Sequence, residues 1–421
     1  MAKHSRFYIN AIWQYGLQIV KYIFPLITIP YLTRVLEPDG YAVYAYILAF
    51  MSFVQVVVEF GFNLLGTKLV VAAKNNNELG RILGSITLAR LLLCLVSAVG
   101  TIIACVFIPI MKENIAYCML SHIAVCGRAL APDFLFQGKE RMSPITTRYF
   151  VSKGISTLLT FAVVRSFDDI LWIPILDVLA SIIALTWSFA AARKMFGVSL
   201  IRVPLLDVMR NLRESALYFV SNMSSVVFTG FATLLIGFVV VDQSQISFWS
   251  LAITAISAVQ SLYSPITNSL YPRMVVSGDF AFAKKLSLFA GPVVLAGTVC
   301  FALLANPIML LLGGPTYLQG SYILVFLSPV LFFGFFGMLY GWPVLGAAGK
   351  VKELTSATMI SASFSVASLL LLACIGEASI TLIAIIRVAT EMLMCGLRLR
   401  ACIKLQEELR ETRSVKDNPA R

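Results

Sequence analysis

The chain has 421 residues, of which 59% are hydrophobic and only 13% are charged, and its mean hydropathy is +0.87. A soluble chain of this length needs far more polar surface, so the composition excludes a soluble globular protein. The net charge is +12, but the basic residues lie in loops without interleaved aromatic residues, and we therefore expect no nucleic-acid binding.

Long apolar segments fill most of the chain. A hydrocarbon core about 30 Å thick is crossed by roughly 20 apolar residues in a helix, whereas barrel strands show alternating runs of about 10 residues. Backbone groups in lipid must be bonded within their own segment, which favours helices. The sequence predicts an all-α polytopic membrane protein with about 12 transmembrane helices, at residues 9–33, 41–66, 82–108, 115–137, 147–165, 170–192, 216–241, 246–271, 286–313, 320–347, 355–374 and 379–399.

Basic residues mark every second connection between these segments. If the N-terminus is cytoplasmic, the cytoplasmic segments hold 25 Lys and Arg residues and the outer loops hold three, Arg34, Lys112 and Arg165. This asymmetry predicts that both termini are cytoplasmic. The first apolar run has no small-residue cleavage site, and we interpret it as a retained first span.

The longest connection, at about 193–215, divides six predicted spans from six. It predicts an N-terminal half at residues 1–205 and a C-terminal half at residues 206–400. Residues 401–421 mix acidic and basic side chains, and we expect a charged cytoplasmic tail there.

Ionisable side chains inside the spans are costly, at least about 2.5–3.5 kcal/mol each at the middle of the bilayer. Such groups should face a partner or a water-filled cavity. Arg387 and Glu391 can pair with each other because they are four residues apart on one helix, and Lys153 can extend to the interface. Nine such groups are predicted: Lys21, Glu59, Arg90, Arg128, Asp133, Lys153, Asp177, Arg387 and Glu391.

Three of these cations, Lys21, Arg90 and Arg128, lie well inside their predicted helices. Arginine offers a planar fork of donors suited to phosphate, and lysine offers a point charge. They predict a basic cavity that binds an anionic head group of the substrate. Glu59 and Asp177 are candidates for ion coupling. The alternative is that these bases and acids only neutralise one another.

Pro25 and Pro30 interrupt the first span. Proline removes a helical hydrogen bond, and broken helices line the substrate path in many transporters. We therefore predict a gating role for both. The alternative is that membrane helices carry more proline than soluble ones in any case.

No motif indicates an enzyme, a metal site or a cofactor. The chain has only two histidines, its eight cysteines form no CxxC pair, and it has no GK[ST] loop, HExxH or GxSxG. We expect a protein that is not an enzyme and binds no metal or cofactor.

Four segments resemble one family along the whole chain. They are LTRVLEPDGYAVYAY at 32–46, APDFLFQGKERMSPITTR at 131–148, ALYFVSNMSS at 216–225 and LGAAGKVKE at 345–353. They resemble the Wzx-type polysaccharide flippases of the multidrug/oligosaccharidyl-lipid/polysaccharide exporter superfamily. Asp133 and Phe134 stand where the family often has Glu and Trp, and Glu37 replaces a usual Gly.

The resemblance implies two six-helix lobes around a central cavity. It also implies a flippase that moves undecaprenyl-diphosphate-linked oligosaccharide repeat units from the cytoplasmic to the outer leaflet of a bacterial inner membrane. Transport would proceed by alternating access and supply O-antigen or surface polysaccharide assembly, with a polysaccharide polymerase and a chain-length regulator as partners.

Two other functions remain open. One is an ion-coupled exporter of cationic drugs from the same superfamily, for which an acid-lined lumen would be favourable. The other is a membrane polymerase or ligase of the same pathway, which the short outer loops disfavour.

Overall fold

The computed structural model describes residues 2–239, 242–277, 280–376 and 379–417, which are mostly helical and contain no strand. The chain forms two compact units, Met1–Val226 and Val227–Arg421. This division falls inside the helix Leu205–Val239, whereas the boundary expected at residues 205 and 206 marks the start of that helix. The two predicted halves therefore stay a prediction.

The first unit contains nine helices and the beginning of a tenth. Their bounds are α1 Ala2–Val35, α2 Glu37–Glu59, α3 Phe62–Ala72, α4 Asn76–Phe107, α5 Pro109–Glu113, α6 Ile115–Ala129, α7 Asp133–Gly138, α8 Ser143–Val163, α9 Trp172–Phe196 and α10 Leu205–Val239.

The second unit contains the end of α10 and eight further helices in the described residues. Their bounds are α11 Gln243–Ser261, α12 Ser264–Ser277, α13 Phe280–Leu303, α14 Ala305–Gly313, α15 Ser321–Leu327, α16 Pro329–Leu339, α17 Val351–Ile375 and α18 Ile380–Asp417. The tail predicted at 401–421 thus continues α18 as far as Asp417, and residues 418–421 lie outside the described residues.

The all-α membrane fold is confirmed. Within the described residues, ten helical stretches are long and apolar enough to cross a membrane. They correspond to ten of the predicted spans. The first and fifth predicted spans coincide with α1 and α8, which are not among the ten. Lys21 in α1, and Arg148 and Lys153 in α8, lower the mean hydropathy of these helices. The count of twelve spans therefore stays a prediction.

The chain bends between α2 and α3 because two successive residues adopt left-handed backbone angles. The φ angles of Phe60 and Gly61 are 43° and 74°. A Cβ atom on Gly61 would overlap Tyr218 of α10, so only glycine allows this close approach. Ser215 donates a hydrogen bond to the Phe60 carbonyl oxygen, and the rings of Phe60 and Phe219 stack at 4.4 Å.

A second bend separates α6 from α7, and Arg90 of α4 holds it. Its guanidinium donates to the Ala131 carbonyl oxygen at 3.0 Å and to Asn63 Oδ1 at 2.9 Å. It also lies 5.5 Å from the centre of the Phe134 ring. Only 1% of Arg90 is exposed. The role of Arg90 in substrate binding stays a prediction. The groups that it contacts in the structure all belong to the protein itself.

The segment after this bend joins three helices. Asp133 at the start of α7 forms a two-pronged ion pair with Arg148 of α8, at 2.8 and 3.0 Å. Arg148 also donates to Ser188 of α9. The next three residues, 134–136, are buried in the core that α3, α4 and α9 share. Internal pairing, which the sequence left open for Asp133, is confirmed.

The second unit contains a similar bend after α16. A π-helical turn covers Tyr340–Gly346, and Gly341 has ψ −120° within it. Arg398 of α18 donates to the carbonyl oxygen of Gly337 at 2.6 Å and to Thr358 of α17 at 2.9 Å. The Arg398 side chain therefore connects α16, α17 and α18 around this turn.

The ion pair predicted inside α18 is confirmed. Arg387 Nη1 lies 2.6 Å from Glu391 Oε2, and both side chains are buried. The Arg387 guanidinium also lies 4.8 Å from the centre of the Phe228 ring. The two opposite charges therefore neutralise each other within α18.

Gly84→Ala tests the packing of α4. The added Cβ would overlap the backbone oxygen of Ile201, which cannot rotate away. We expect a loss of about 1–3 kcal/mol, typical of overpacking, and a lower melting temperature of the purified protein in detergent. Gly100→Ala in the same helix is the control, because its Cβ would meet nothing within 4 Å. Equal melting temperatures for the two variants would contradict this packing.

Arg90→Ala tests the bend between α6 and α7. It leaves the Ala131 carbonyl and Asn63 without their donor, and we expect a loss of about 2–4 kcal/mol, since each buried unpaired group costs about 1–3 kcal/mol. Thermal stability, measured by size-exclusion after heating, should fall. Arg193→Ala removes an exposed arginine and should leave stability within about 0.5 kcal/mol. An unchanged Arg90→Ala protein would refute the structural role.

Candidate functional site

A polar cavity lies within the first unit, between α1, α2, α6, α8 and α9. Its volume is ≈ 80 Å³, which is room for about two or three water molecules or one small anionic group, since one water takes about 30 Å³ of liquid. Seven lining side chains bear hydroxyl groups: Thr28, Tyr44, Tyr117, Ser121, Ser156, Thr157 and Thr160.

Three charged side chains meet in this cavity. Lys153 Nζ of α8 lies 2.8 Å from Asp177 Oδ1 of α9, and Ser156 donates to the same oxygen at 3.2 Å. Arg128 Nη1 of α6 lies 3.9 Å from Asp177 Oδ2, which is too long for a hydrogen bond. In the part of the chain that the structure describes, the guanidinium of Arg128 donates to no acceptor. Its donors therefore remain available.

A fourth charge lies next to the cavity. Lys21 Nζ of α1 is 5.8 Å from the centre of the Tyr149 ring, a distance at which a cation and an aromatic face attract. Tyr149 lies one helical turn from Lys153 on α8. Lys153 and Arg128 flank the carboxylate of Asp177, and with two cations to one anion the local charge is positive. In a low-dielectric environment such an excess attracts an anion strongly.

The structure brings together some of the predicted site residues and not others. Arg128 and Asp177 line the same cavity, whereas Lys21 lies beside Tyr149, one helical turn from Lys153 on α8. Arg90 lies at the bend after α6 and does not line the cavity. Glu59 is half-buried in α2 and accepts a hydrogen bond from Gln55 at 2.8 Å. The functional roles predicted for all of them remain untested.

The two prolines lie in a helix that forms one cavity wall. α1 continues through Pro25 and Pro30 without interruption, and Thr28 between them lines the cavity. Thr28 Oγ1 donates to the Phe24 carbonyl oxygen at 2.7 Å. A gating role for the prolines stays a prediction, and their position beside the cavity is compatible with it.

Side chains attach α1 to the rest of the unit near both of its ends. Asn10 donates to the Glu140 carbonyl oxygen at 2.6 Å and accepts from the Met142 amide at 3.2 Å. At the other end Tyr31 donates to the Val164 carbonyl oxygen at 2.6 Å. The prolines lie between the attachment at Asn10 and the region of Tyr31.

Lys153 is the cavity residue that sequence reasoning missed, because its long side chain was expected to extend to the interface. A signal was present in the sequence. Tyr149, Lys153 and Ser156 recur at four and three residues along α8, and this spacing puts them on one helical face. A polar helical face that contains a cation and lies opposite Asp177 indicates a cavity more reliably than the depth of a residue in the membrane.

Known proteins resemble this chain in sequence and in fold. The sequence profile of a family described as "Polysaccharide biosynthesis protein" matches residues 8–277. A protein of Escherichia coli (strain K12) named "Putative O-antigen transporter" is 24% identical over 356 residues, covering 82% of this chain and 85% of that protein.

Two solved structures share the fold. An inward-facing multidrug resistance MATE family transporter of the MOP superfamily has a TM-score of 0.73 at 11% identity, covering 94% of this chain and 96% of its own. The lipid II flippase MurJ, in an inward closed conformation, has a TM-score of 0.71 at 13% identity, covering 93% and 87%. Because the family profile spans well over half of the chain, the chain belongs to the polysaccharide biosynthesis protein family.

Proposed function

We propose that this protein is a flippase for undecaprenyl-diphosphate-linked oligosaccharide repeat units, which it moves from the cytoplasmic to the outer leaflet of a bacterial inner membrane. The single observation that carries the proposal is the positively charged cavity around Arg128 and Lys153. Membership of the polysaccharide biosynthesis family and the name of the Escherichia coli relative support it.

The chemistry of the cavity suits a phosphate group better than a sugar or a drug. Arg128 offers an unengaged fork of donors, which matches the oxygen pairs of a phosphate. Lys153 adds a point charge, and the hydroxyl groups of Ser156 and Tyr117 line the same space. The cavity volume of ≈ 80 Å³ suits one charged group. We propose that it binds part of the diphosphate while the glycan and lipid lie elsewhere.

Topology and mechanism follow from the same proposal. The excess of basic residues in alternate connections supports a cytoplasmic location of both termini by the positive-inside rule. Two six-helix lobes would alternate access to a central cavity, with Pro25 and Pro30 as the gate in α1. A polysaccharide polymerase and a chain-length regulator would take the delivered repeat unit.

A cationic drug is the less suitable cargo for this site. Arg128 and Lys153 flank the carboxylate of Asp177, so a further cation would be repelled. The likeness to a multidrug transporter, at 11% identity, concerns the fold alone. The drug-exporter alternative therefore has no local chemistry that favours it.

Deletion of the gene tests the function directly. Lipids extracted from the deletion strain, with leaflet-resolved labelling of the lipid-linked glycan, should show a complete single repeat unit accumulating on the inner leaflet. Surface polysaccharide should be lost. Normal surface glycan together with altered tolerance to cationic drugs would instead support an exporter.

Complementation of that strain tests the cavity. Arg128→Ala removes the unengaged donors and should lower surface polysaccharide by about tenfold or more, since a hydrogen bond to a charged group contributes about 1.5–3 kcal/mol. Arg128→Lys should retain part of the activity because it keeps the charge without the fork. Lys153→Gln should also lose activity.

Lys112→Ala is the matched control, because Lys112 is an exposed base of the short helix α5. It should complement fully, and all proteins must be present in the membrane at equal amounts. Full complementation by an Arg128→Ala, Lys153→Gln double variant would refute the basic cavity.

Coupling to an ion gradient through Glu59 or Asp177 is a second proposal for this protein. Asp177 contacts Lys153 and Arg128, so neutralising it changes the charge of the cavity. We expect Asp177→Asn to alter the pH dependence of transport in proteoliposomes, and Glu59→Gln to do so if protons pass through α2. Unchanged profiles in both amide variants would exclude proton coupling at these sites.

A further inference from the structure

A separate groove lies in the second unit, between the first turns of α17 and residues 397–408 of α18. Its volume is ≈ 290 Å³. Both helices are candidate membrane spans, over Val351–Ile375 and Ile380–Glu408, so the groove lies at one end of the membrane-crossing segments. No role in the proposed transport cycle involves it.

One basic residue of the groove is already neutralised. Lys350 Nζ lies 3.0 Å from Glu408 Oε2 and 3.9 Å from Glu353 Oε1. The hydrogen bond to Glu408, together with the negative charge of that residue, raises the pKa of Lys350 above its ordinary value. Lys350 and the two glutamates therefore form an internal cluster at one side of the groove.

Two further cations in the groove have no such partner. Arg400 and Lys404 line it from one face of α18, one helical turn apart, and both are exposed. Within residues 379–417 and the rest of the described chain, neither forms an ion pair. Groups three or four residues apart on a helix are neighbours, so both can contact one anionic group.

The wall of the groove also has an apolar part, in addition to Ser356 and the charged side chains. Ile360 and Ala357 of α17 and Leu397 of α18 line it, and 50% of Ile360 is exposed. Exposed apolar side chains continue along both helices away from the groove, at Phe364 and Met392. A soluble anion would gain nothing from this wall, whereas an acyl chain would be removed from water by it.

We propose that this groove binds an anionic phospholipid, with the phosphate between Arg400 and Lys404 and an acyl chain along Ile360. Basic pockets between membrane helices on the cytoplasmic side attract such head groups. The positive-inside rule assigns this basic end of α18 to the cytoplasmic side. The bound lipid would join the first turns of α17 to residues 397–408 of α18.

Lipid retention by the purified full-length protein tests the site. Protein in nanodiscs containing phosphatidylglycerol and phosphatidylcholine is transferred to detergent, and retained lipid is measured by native mass spectrometry. The wild type should retain phosphatidylglycerol selectively. Arg400→Gln, Lys404→Gln should weaken retention by about tenfold or more, since each surface base contributes appreciably to anionic-lipid binding.

Two further variants distinguish a lipid bound in the groove from the non-specific attraction of anionic lipid to basic residues. Arg193→Gln, Lys194→Gln removes two exposed bases from the end of α9 and should retain lipid within about twofold of the wild type. Ile360→Trp fills the groove while keeping its charges, and it should weaken retention. Equal losses in both double variants, or full retention in Ile360→Trp, would overturn the proposal.

A third arm distinguishes the lipid from a free anion. Phosphatidylglycerol should raise the melting temperature of the delipidated wild-type protein, because a ligand that binds only the folded state stabilises it. Inorganic phosphate alone should not. If phosphate stabilises the wild type as much as the lipid and fails on Arg400→Gln, Lys404→Gln, the groove is a free-anion site and the lipid assignment is wrong.

Discussion

A membrane protein must bond every backbone carbonyl that its helices release, because lipid offers no donors. This chain bends at three described places and supplies a side-chain donor at each. Arg90 bonds the carbonyl of Ala131, Arg398 bonds that of Gly337, and Ser215 bonds that of Phe60. At these three bends the donor comes from a different helix. The bend after α6 packs the short helix α7 against α3 and α4.

This constraint divides the arginines into two groups. Arg90 and Arg398 direct their terminal nitrogens at acceptors within the chain, and Arg148 directs its own at Asp133. Arg128 is different, since the carboxylate with which it forms an ion pair, that of Asp177, is too far away for a hydrogen bond. A guanidinium that has no internal acceptor is the better candidate for a ligand. Depth in the membrane does not make this distinction, because a deep arginine can serve either purpose.

Sequence reasoning predicted most of the fold because lipid leaves few alternatives. Apolar length located the helices, and local spacing located the Arg387–Glu391 pair. It could not assign Arg90, whose acceptors are 27 and 41 residues away in the chain. It expected Lys153 at the interface, whereas Asp177, 24 residues away, holds it at the cavity. Contacts of this kind arise from helix packing, and one sequence without aligned relatives does not reveal them. Apart from one proline, nothing in the sequence indicated the π-helical turn at Gly341.

The attachment of α1 at Asn10 and near Tyr31 has a mechanical consequence. A helix attached near both ends cannot tilt as a rigid body unless one attachment is released, but it can bow between the two attachments. Such a helix bends most easily where backbone hydrogen bonds are missing, which in α1 is the stretch from Pro25 to Pro30. Bowing there would displace Thr28, and with it the wall of the cavity, while both ends of the helix stay in place.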